Sequence, residues 1–240
     1  MTETLQTFLD DLTAQRRTVT VYAADPPSEL AERLADWHVD VRFDHLPSDS
    51  GEGFITVRQG DHFLGTVSLE TVATLFEPAA GVLDADSTET GSLEPLLKLL
   101  DETLFQSVER RQLLAATREF EDRAWRHGQG ELHVGFQRPA ALAAQRPVYE
   151  RLAESDLDIH LYFDGAWHAP PIPGVTIHTD GGELGQFWFV AFQPDAAARS
   201  QSCGLFARER DPATYGGFWT YDPNRVAALV TYLRATYGDA

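Results

Sequence analysis

The sequence predicts an α/β protein built from two modules, each with the element order β-α-β-β-β-α and a mixed sheet. Helical and strand periodicities alternate along the chain, and a polar stretch with few large apolar residues interrupts them. The same order of elements then recurs beyond that stretch. We therefore assign residues 1–78 to an N-terminal module, residues 79–91 to a connector and residues 92–240 to a C-terminal module.

The N-terminal module is predicted to begin with a helix. Thr2 is a suitable N-cap, and the apolar residues that follow repeat with helical spacing: Leu5, Phe8, Leu9 and Leu12. The later elements of this module are predicted as a strand at 18–23, a helix opening near 27–28 that carries Leu30 and Leu34, strands at 39–43, 54–57 and 63–69, and a helix at 70–76. Gly60 and Asp61 predict a tight hairpin turn between the last two strands.

The C-terminal module is predicted to open with two helices, at 92–105 and 110–126. Its later elements are predicted as strands at 132–136 and 158–163 around a helix at 141–153, strands near 187–192 and 203–208, and a closing helix at 223–234. A long insertion lies at 164–185. An internal duplication would explain why this order resembles that of the first module; chance recurrence of common elements is the alternative.

The balance of acidic and basic residues predicts that the protein works in concentrated salt. Against 37 acidic residues the sequence has 18 arginines and one lysine, Lys98, and its formal net charge is −18. Such a chain repels itself, and salt near 1 M shortens the screening length to about 3 Å. We therefore expect a halophilic, archaeal protein; an acidic mesophilic protein from a genome of high GC content is the alternative. The acidity also argues against nucleic acid as a partner, because such binding depends on clustered Lys and Arg.

Several functional classes lose support from what the sequence lacks. No apolar run approaches the roughly 18 residues of a membrane span, and the start at Met1 lacks the pattern of a signal peptide, so we expect a cytoplasmic protein that contacts no membrane. Cys203 is the single cysteine, so a thiolate zinc cluster is excluded. Asp156, Asp158 and His160 alternate on one side of a strand and could in principle bind a divalent metal, but no second histidine has a suitable spacing, so no metal site is expected. The common hydrolase, nucleotide-binding and dinucleotide-binding motifs are missing from the sequence.

The strand at 132–136 predicts where a ligand would bind. In a β-α-β unit the two strands run parallel, and ligands settle beyond their carboxyl ends. Gln137 and Arg138 follow this strand directly and offer amide and guanidinium donors to a polar or anionic ligand. Helix capping and surface salt bridging are the alternative roles for these two side chains.

Polar and aromatic residues elsewhere in the C-terminal module suit a pocket. Arg118 and Glu121 lie three apart at the edge of a helical apolar stripe. Trp and Tyr line ligand pockets because they combine rigid apolar area with one polar group, although core packing is their usual role. The candidates for such a wall are Phe136, Tyr149, Trp188 and Trp219.

Short motifs in the C-terminal module follow one another in a characteristic order. They are Arg118-x-x-Glu121, His133-Val-Gly-Phe136-Gln137-Arg138, Tyr149-Glu-Arg-Leu152, Trp188 and Gly217-Phe-Trp-Thr220-x-Asp222. In this order they resemble the DICT sensory domain, over roughly residues 92 to 236. The name refers to the diguanylate cyclases and two-component systems in which such domains occur, and the whole chain is similar to a stand-alone haloarchaeal form.

The resemblance implies a non-catalytic input module for signal transduction that senses a still unassigned signal. It names no cofactor. Only a closing helix follows Asp222, so we expect the output to come from an unidentified partner protein. The ligand-binding residues that we expect are Arg118, Glu121, Phe136, Gln137, Arg138, Tyr149, Trp188, Trp219 and Asp222.

Two alternatives to a ligand sensor stay open. The first is an interaction adaptor without a ligand, in which a leucine stripe forms a homodimer seam: Leu93, Leu96, Leu97, Leu100 and Leu104. Packing of these leucines inside the chain is a simpler interpretation than a dimer seam. The second is an uncharacterised enzyme that uses Asp158, His160 or Glu121.

The charge balance yields a direct test. We expect the protein to melt cooperatively at a clearly higher temperature in about 3 M KCl than in about 0.1 M KCl, because salt screens the mutual repulsion of the carboxylates. Circular dichroism melts in the two buffers measure this shift. The same melting temperature in both would contradict the halophilic interpretation.

Overall fold

The structure is a computed structural model that describes residues 4–10, 17–25, 33–34, 37–47, 53–76, 93–179 and 182–238. The chain forms two compact units, each with a mixed α/β composition. The large-sheet unit comprises Met1–Leu12, Phe120–Glu209 and Trp219–Ala240, and the small-sheet unit comprises Thr13–Glu119 and Arg210–Phe218. The predicted connector at 79–91 lies outside the described residues, so the predicted domain boundary stays a prediction.

The described strands are β1 (Arg17–Ala23), β2 (Val39–His45), β3 (Phe54–Gln59), β4 (His62–Ser68), β5 (Phe105–Glu109), β6 (Gln129–Phe136), β7 (Asp156–Tyr162), β8 (Val175–His178), β9 (Phe187–Gln193), β10 (Cys203–Asp211) and β11 (Thr214–Thr220). The described helices are α1 (Leu5–Asp10), α2 (Leu69–Phe76), α3 (Glu94–Leu99), α4 (Arg110–His127), α5 (Pro139–Leu152) and α6 (Pro223–Tyr237). Two short 3₁₀ helices span Gly182–Gln186 and Ala196–Gln201. None of these described helices is long and apolar enough to cross a membrane.

The small-sheet unit contains a four-stranded sheet in the order β2-β1-β3-β4. Strand β1 pairs in parallel with β2 and antiparallel with β3. Its residues alternate between buried and half-buried, as a strand with one face on the core requires. The hairpin between β3 and β4 turns at Gly60 and Asp61, which confirms the sequence prediction. Most of the helix predicted near 27–28 lies outside the described residues.

The helix predicted at 92–105 is wrong in length. Helix α3 ends at Leu99, and the chain then reaches Glu102, whose φ of 56° lies outside the helical region. Phe105 begins β5, which pairs with β11, and its ring packs 6.1 Å from the ring of Trp37. These tertiary contacts override the helical propensity of a leucine-rich segment. The predicted dimer-seam leucines Leu93, Leu96, Leu97 and Leu100 are buried inside the chain.

The large-sheet unit is organised around β6. Five of its strands follow the order β10-β9-β6-β7-β8. Strands β6, β7 and β8 are parallel, whereas β9 is antiparallel to both β6 and β10. Strand β8 lies in the long insertion at 164–185, where no strand was predicted, and β5 and β11 were also missed. The predicted helix at 141–153 is confirmed as α5, which begins at Pro139, a residue favoured in the first helical turn.

The two units share one strand order. The small sheet has the order β2-β1-β3-β4, with one parallel pair followed by two antiparallel pairs. Four strands of the large sheet, in the order β7-β6-β9-β10, also form one parallel pair followed by two antiparallel pairs. A duplicated ancestor would produce this correspondence, so it supports the duplication hypothesis. The duplication itself stays a prediction.

The two faces of the large sheet carry different side chains. Successive residues of a strand point to opposite faces. Leu132, Val134 and Phe136 of β6 share a face with the aromatic ring of Tyr149 from α5, which meets Phe136 edge to face. His133 of β6 lies on the other face, on which α6 packs through Tyr237. Helices therefore cover this sheet on both faces, which explains why β9 is buried throughout most of its length.

Gly135 is required by the packing of the large sheet. It lies opposite Phe189 in the pairing of β6 with β9, and a Cβ atom at this position would overlap the Phe189 ring. We expect Gly135→Ala to lower the free energy of unfolding by about 1–3 kcal/mol. Chemical denaturation measures the change. The double variant with Phe189→Leu should lose less than the sum of the two single variants, and strict additivity would contradict this account.

Candidate functional site

The connection from β6 to α5 has an unusual backbone conformation. Gln137 has a φ of 61°, in the left-handed region that costs a non-glycine residue about 1–2 kcal/mol, and its side chain is buried. Its carbonyl oxygen accepts a hydrogen bond from the backbone N–H of Asp164, 3.1 Å away. Strain of this kind concentrates at functional sites. The turn lies at the carboxyl end of β6, beside the parallel strand β7.

A buried polar pair lies close to this turn. The hydroxyl of Tyr149 on α5 donates a hydrogen bond to Oε1 of Glu121 on α4. Glu121 is only 3% exposed and Tyr149 is fully buried. The Tyr149 ring meets Phe136 edge to face, with 5.2 Å between the ring centroids. A buried carboxylate requires a donor, and the tyrosine supplies one.

The structure therefore brings together several of the expected site residues. Trp188 pairs directly with Phe136 in the antiparallel register of β9 and β6 and is buried. Gln137 follows Phe136 in the chain. Together with the polar pair, they form what we call the β6-edge site: Glu121, Phe136, Gln137, Tyr149 and Trp188.

The other expected site residues have different surroundings. Arg138 is 74% exposed, and its Nη2 atom lies 3.9 Å from Oε2 of Glu209. Asp222 caps α6, because its Oδ1 atom accepts the backbone N–H of Asn224 at 2.9 Å. Trp219 is buried in β11. Arg118 lies on α4 within the small-sheet unit. A ligand-binding role for these four residues stays a prediction.

A second polar cluster lies on the opposite face of the large sheet. His133 on β6 pairs in register with His160 on β7, and Tyr162 on β7 pairs with His178 on β8. The rings stack in sequence, with centroids 4.6 Å apart for His133 and His160, 5.3 Å for His160 and His178, and 4.5 Å for Tyr162 and His178. We call this set of four residues the histidine ladder.

Hydrogen bonds tie the histidine ladder to its surroundings. Nδ1 of His133 lies 2.8 Å from the Tyr162 hydroxyl, and Nε2 lies 3.2 Å from Oε2 of Glu131. Oε2 of Glu131 is also 2.6 Å from Nη2 of Arg234 on α6. Burial lowers the pKa of His133, and the hydrogen bond from His133 lowers the pKa of Glu131. Burial raises the pKa of Tyr162, so its hydroxyl stays protonated.

The far end of the histidine ladder reaches the last turn of α6. Nδ1 of His178 lies 2.8 Å from the backbone carbonyl oxygen of Tyr237, and its Nε2 lies 3.0 Å from Nδ1 of His160. Nε2 of His160 lies 3.2 Å from Oδ2 of Asp158. Within the described residues, no three His, Cys, Asp or Glu side chains converge on a metal position.

The sequence alone does not predict the histidine ladder as a site. Its members come from three strands, and His178 lies on a strand that was not predicted. His160 and Tyr162 alternate along β7 and share one face, but only the register with β6 and β8 adds His133 and His178. The sequence signal for the β6-edge site was stronger, because Phe136 and Gln137 are adjacent.

Comparison with known proteins identifies the family. Residues 91–210 match the family described as the sensory domain in diguanylate cyclases and two-component systems, DICT. No curated protein matches the chain. Among solved structures, a polyphosphate kinase from Porphyromonas gingivalis matches with 12% identity and a TM-score of 0.36, over 96% of this chain and 47% of that one. The chain thus spans about half the length of that kinase.

The Glu121–Tyr149 pair yields a stability prediction. Tyr149→Phe removes a hydrogen-bond donor from a buried carboxylate, so we expect the free energy of unfolding to fall by about 1–3 kcal/mol. Chemical denaturation measures the loss. Tyr22→Phe, at a half-buried ring stacked on Phe54, is the control and should change stability by less than about 0.5 kcal/mol. Equal losses for the two variants would contradict this role of the hydroxyl.

Proposed function

We propose that this chain, which belongs to the DICT family of sensory domains, is an input module that binds a small ligand at the β6-edge site and relays its presence to a partner protein. The observation that carries the proposal is the buried Glu121–Tyr149 hydrogen bond packed against Phe136. The family supports a sensory rather than a catalytic role. Polar groups are costly to bury, so a pair held at the carboxyl edge of a parallel strand pair favours recognition of a ligand there.

The chemistry of the β6-edge site defines the class of ligand. A carboxylate accepts hydrogen bonds, and the tyrosyl hydroxyl both donates and accepts. Phe136 and Trp188 add flat apolar area beside them. These groups suit a small molecule that joins N–H or O–H donors to a planar apolar part. Such a ligand would take over the hydrogen bond that Tyr149 gives to Glu121, so binding would alter the contact between α4 and α5.

A change in the contact between α4 and α5 would transmit ligand binding to a partner protein. A separate signalling protein would receive the signal, in keeping with the signalling systems after which the family is named. The net charge of −18 supports a cytoplasmic location in a salt-rich cell for the proposed sensor.

A ligand screen tests the proposed site. Native mass spectrometry of the purified full chain reveals any co-purified small molecule, and a thermal-shift screen of small planar molecules with N–H or O–H donors covers the case in which none is retained. We expect a binder to raise the melting temperature of the wild type, since a ligand that binds only the native state stabilises it. Glu121→Gln should weaken binding at least tenfold, because a hydrogen bond to a charged group contributes about 1.5–3 kcal/mol.

The matched control is Glu150→Gln. Glu150 neighbours Tyr149 in sequence but is exposed and paired with Arg146 on the surface of α5, 2.7 Å from Oε1 to Nε. This variant should bind as the wild type does. Equal affinity of the wild type and Glu121→Gln for a binder would rule out the β6-edge site, and no binder in either assay would count against a ligand sensor.

A further inference from the structure

The first described helix, α1, belongs to the large-sheet unit and packs against β10 and α6. Leu5 is fully buried, and the ring of Phe8 lies 6.1 Å from the ring of Phe206 and 5.6 Å from that of Tyr232. Phe206 also stacks on Phe187, with 5.2 Å between the ring centroids. The surface beneath α1 is therefore a mainly apolar groove. We call it the α1 groove and define it by five residues: Glu183, Phe187, Phe206, Arg208 and Tyr232.

Helix α1 depends on this groove for its structure. It has six residues, whereas isolated helices shorter than about 12–15 residues are marginal in water. Its contacts in the groove, and not its own propensity, therefore keep it helical. Terminal segments that rest on few contacts open at a lower free energy than the whole domain does. An occupant with better contacts would displace α1 without unfolding the large sheet.

Glu183 binds the start of the helix through its backbone. Its Oε2 atom accepts the N–H of Leu5, 2.9 Å away, and its Oε1 atom accepts hydrogen bonds from the hydroxyls of Tyr232 and Tyr237. Burial, together with the hydrogen bond to Glu183, raises the pKa of Tyr232 to about 12, so this hydroxyl stays protonated and donates. The carboxylate is thus held in place by α6. Because the first N–H groups of every helix lack a partner inside the helix, this contact is open to helices other than α1.

Arg208 distinguishes among possible occupants of the groove. Its Nη1 atom donates to Oε1 of Gln6 at 2.7 Å, and its Nη2 atom donates to Oε1 of Gln186 at 2.8 Å. Both acceptors are neutral amides. A carboxylate in the place of the Gln6 amide would form a charge-assisted hydrogen bond, which is roughly twice as strong. Helix α1 has a carboxylate one turn later instead, on Asp10, whose Oδ1 atom accepts from the Gln6 amide at 2.8 Å.

We propose that the α1 groove is the docking surface for a helical segment of a partner protein, and that α1 is a weaker occupant which this segment replaces. The segment has apolar residues at the positions of Leu5 and Phe8 and a carboxylate at the position of Gln6. Its apolar residues fill the groove, its first backbone N–H groups meet Glu183, and its carboxylate meets Arg208. The inference rests on the partner protein of the proposed function but uses none of the residues of the β6-edge site.

Two labelled peptides that differ in the position of one carboxylate test the groove. The native peptide has the sequence of residues 2–12, and the swapped peptide carries Gln6→Glu together with Asp10→Asn, so both have the same net charge. The receiving protein is the full chain with Phe8→Ala. In this variant α1 loses its ring contacts, while the groove keeps all of its own residues. Fluorescence anisotropy measures the affinities.

The position of the carboxylate should decide the affinity. We expect the swapped peptide to bind the Phe8→Ala chain about tenfold more tightly than the native peptide does, because only the swapped peptide offers a carboxylate to Arg208. The wild-type chain should bind the swapped peptide about tenfold more weakly than the Phe8→Ala chain does, because intact α1 competes for the groove from within the same molecule.

Arg208→Gln, added to Phe8→Ala, is the matched control. It removes the cation that reads the carboxylate, so the difference between the two peptides should fall below about twofold. Four outcomes would overturn the proposal: no binding of the swapped peptide to the Phe8→Ala chain, equal affinity of that chain for both peptides, equal affinity of the wild-type and Phe8→Ala chains for the swapped peptide, and a preference that survives Arg208→Gln.

Hydrogen exchange provides a second readout if Phe8→Ala does not fold. The full chain with Gln6→Glu and Asp10→Asn should hold α1 more tightly, so we expect the backbone amide of Leu5 to exchange about tenfold more slowly than in the wild type, after correction for intrinsic rates. Asp10→Asn alone keeps Gln6 and should change the rate by less than about twofold. Equal rates in the double variant and the wild type would contradict the role of Arg208. Neither assay contains a small molecule, so failure of the ligand screen leaves these results unaffected.

Discussion

A buried polar atom must find a partner, and this constraint shapes both faces of β6. The strand is central in the large sheet and helices pack on each side of it, so water does not satisfy the side chains that it places inward. On one face Tyr149 donates a hydrogen bond to the buried Glu121. On the other face His133, which is fully buried, bonds to Tyr162 and Glu131. The polar residues of this sheet are therefore bound into specific networks.

The two networks join different elements of the large-sheet unit. The Glu121–Tyr149 pair links two helices, α4 and α5, and it is the contact on which the proposed ligand would act. The histidine ladder links β6, β7 and β8 to the end of α6 through stacked rings and side-chain hydrogen bonds. Strand β6 thus contributes side chains to two polar networks of different chemistry. This arrangement fits a chain whose family is defined by signal input.

Local patterns in the sequence predicted the elements that local physics determines. The alternation in 18–23 predicted β1, and Gly60 with Asp61 predicted the turn of the β3–β4 hairpin. The leucine-rich segment at 92–105 was misassigned beyond Leu99, because Phe105 is drawn into a strand by partners far away in sequence: Trp37 and β11. Strand β8 was missed for a similar reason. It has only four residues, and its pairing with β7 is what makes it a strand.

The site residues divide in the same way. Phe136 and Gln137 were predictable because the end of a strand in a β-α-β unit is a local feature, whereas the side-chain hydrogen bond between Glu121 and Tyr149 required the packing of α5 on α4. The histidine ladder depends wholly on register. A shift of one residue between β6 and β7 would place His133 and His160 on opposite faces of the sheet.

The assignment of protons by burial is tested most directly at His133. Its ring is surrounded by the sheet and α6, and its two partners fix one tautomer. Ring ¹⁵N NMR of the folded protein at about pH 7 should show a neutral ring with its proton on Nε2, because Glu131 accepts there and Tyr162 donates to Nδ1. A charged ring, or a proton on Nδ1, would contradict the account of how this sheet satisfies its buried polar groups.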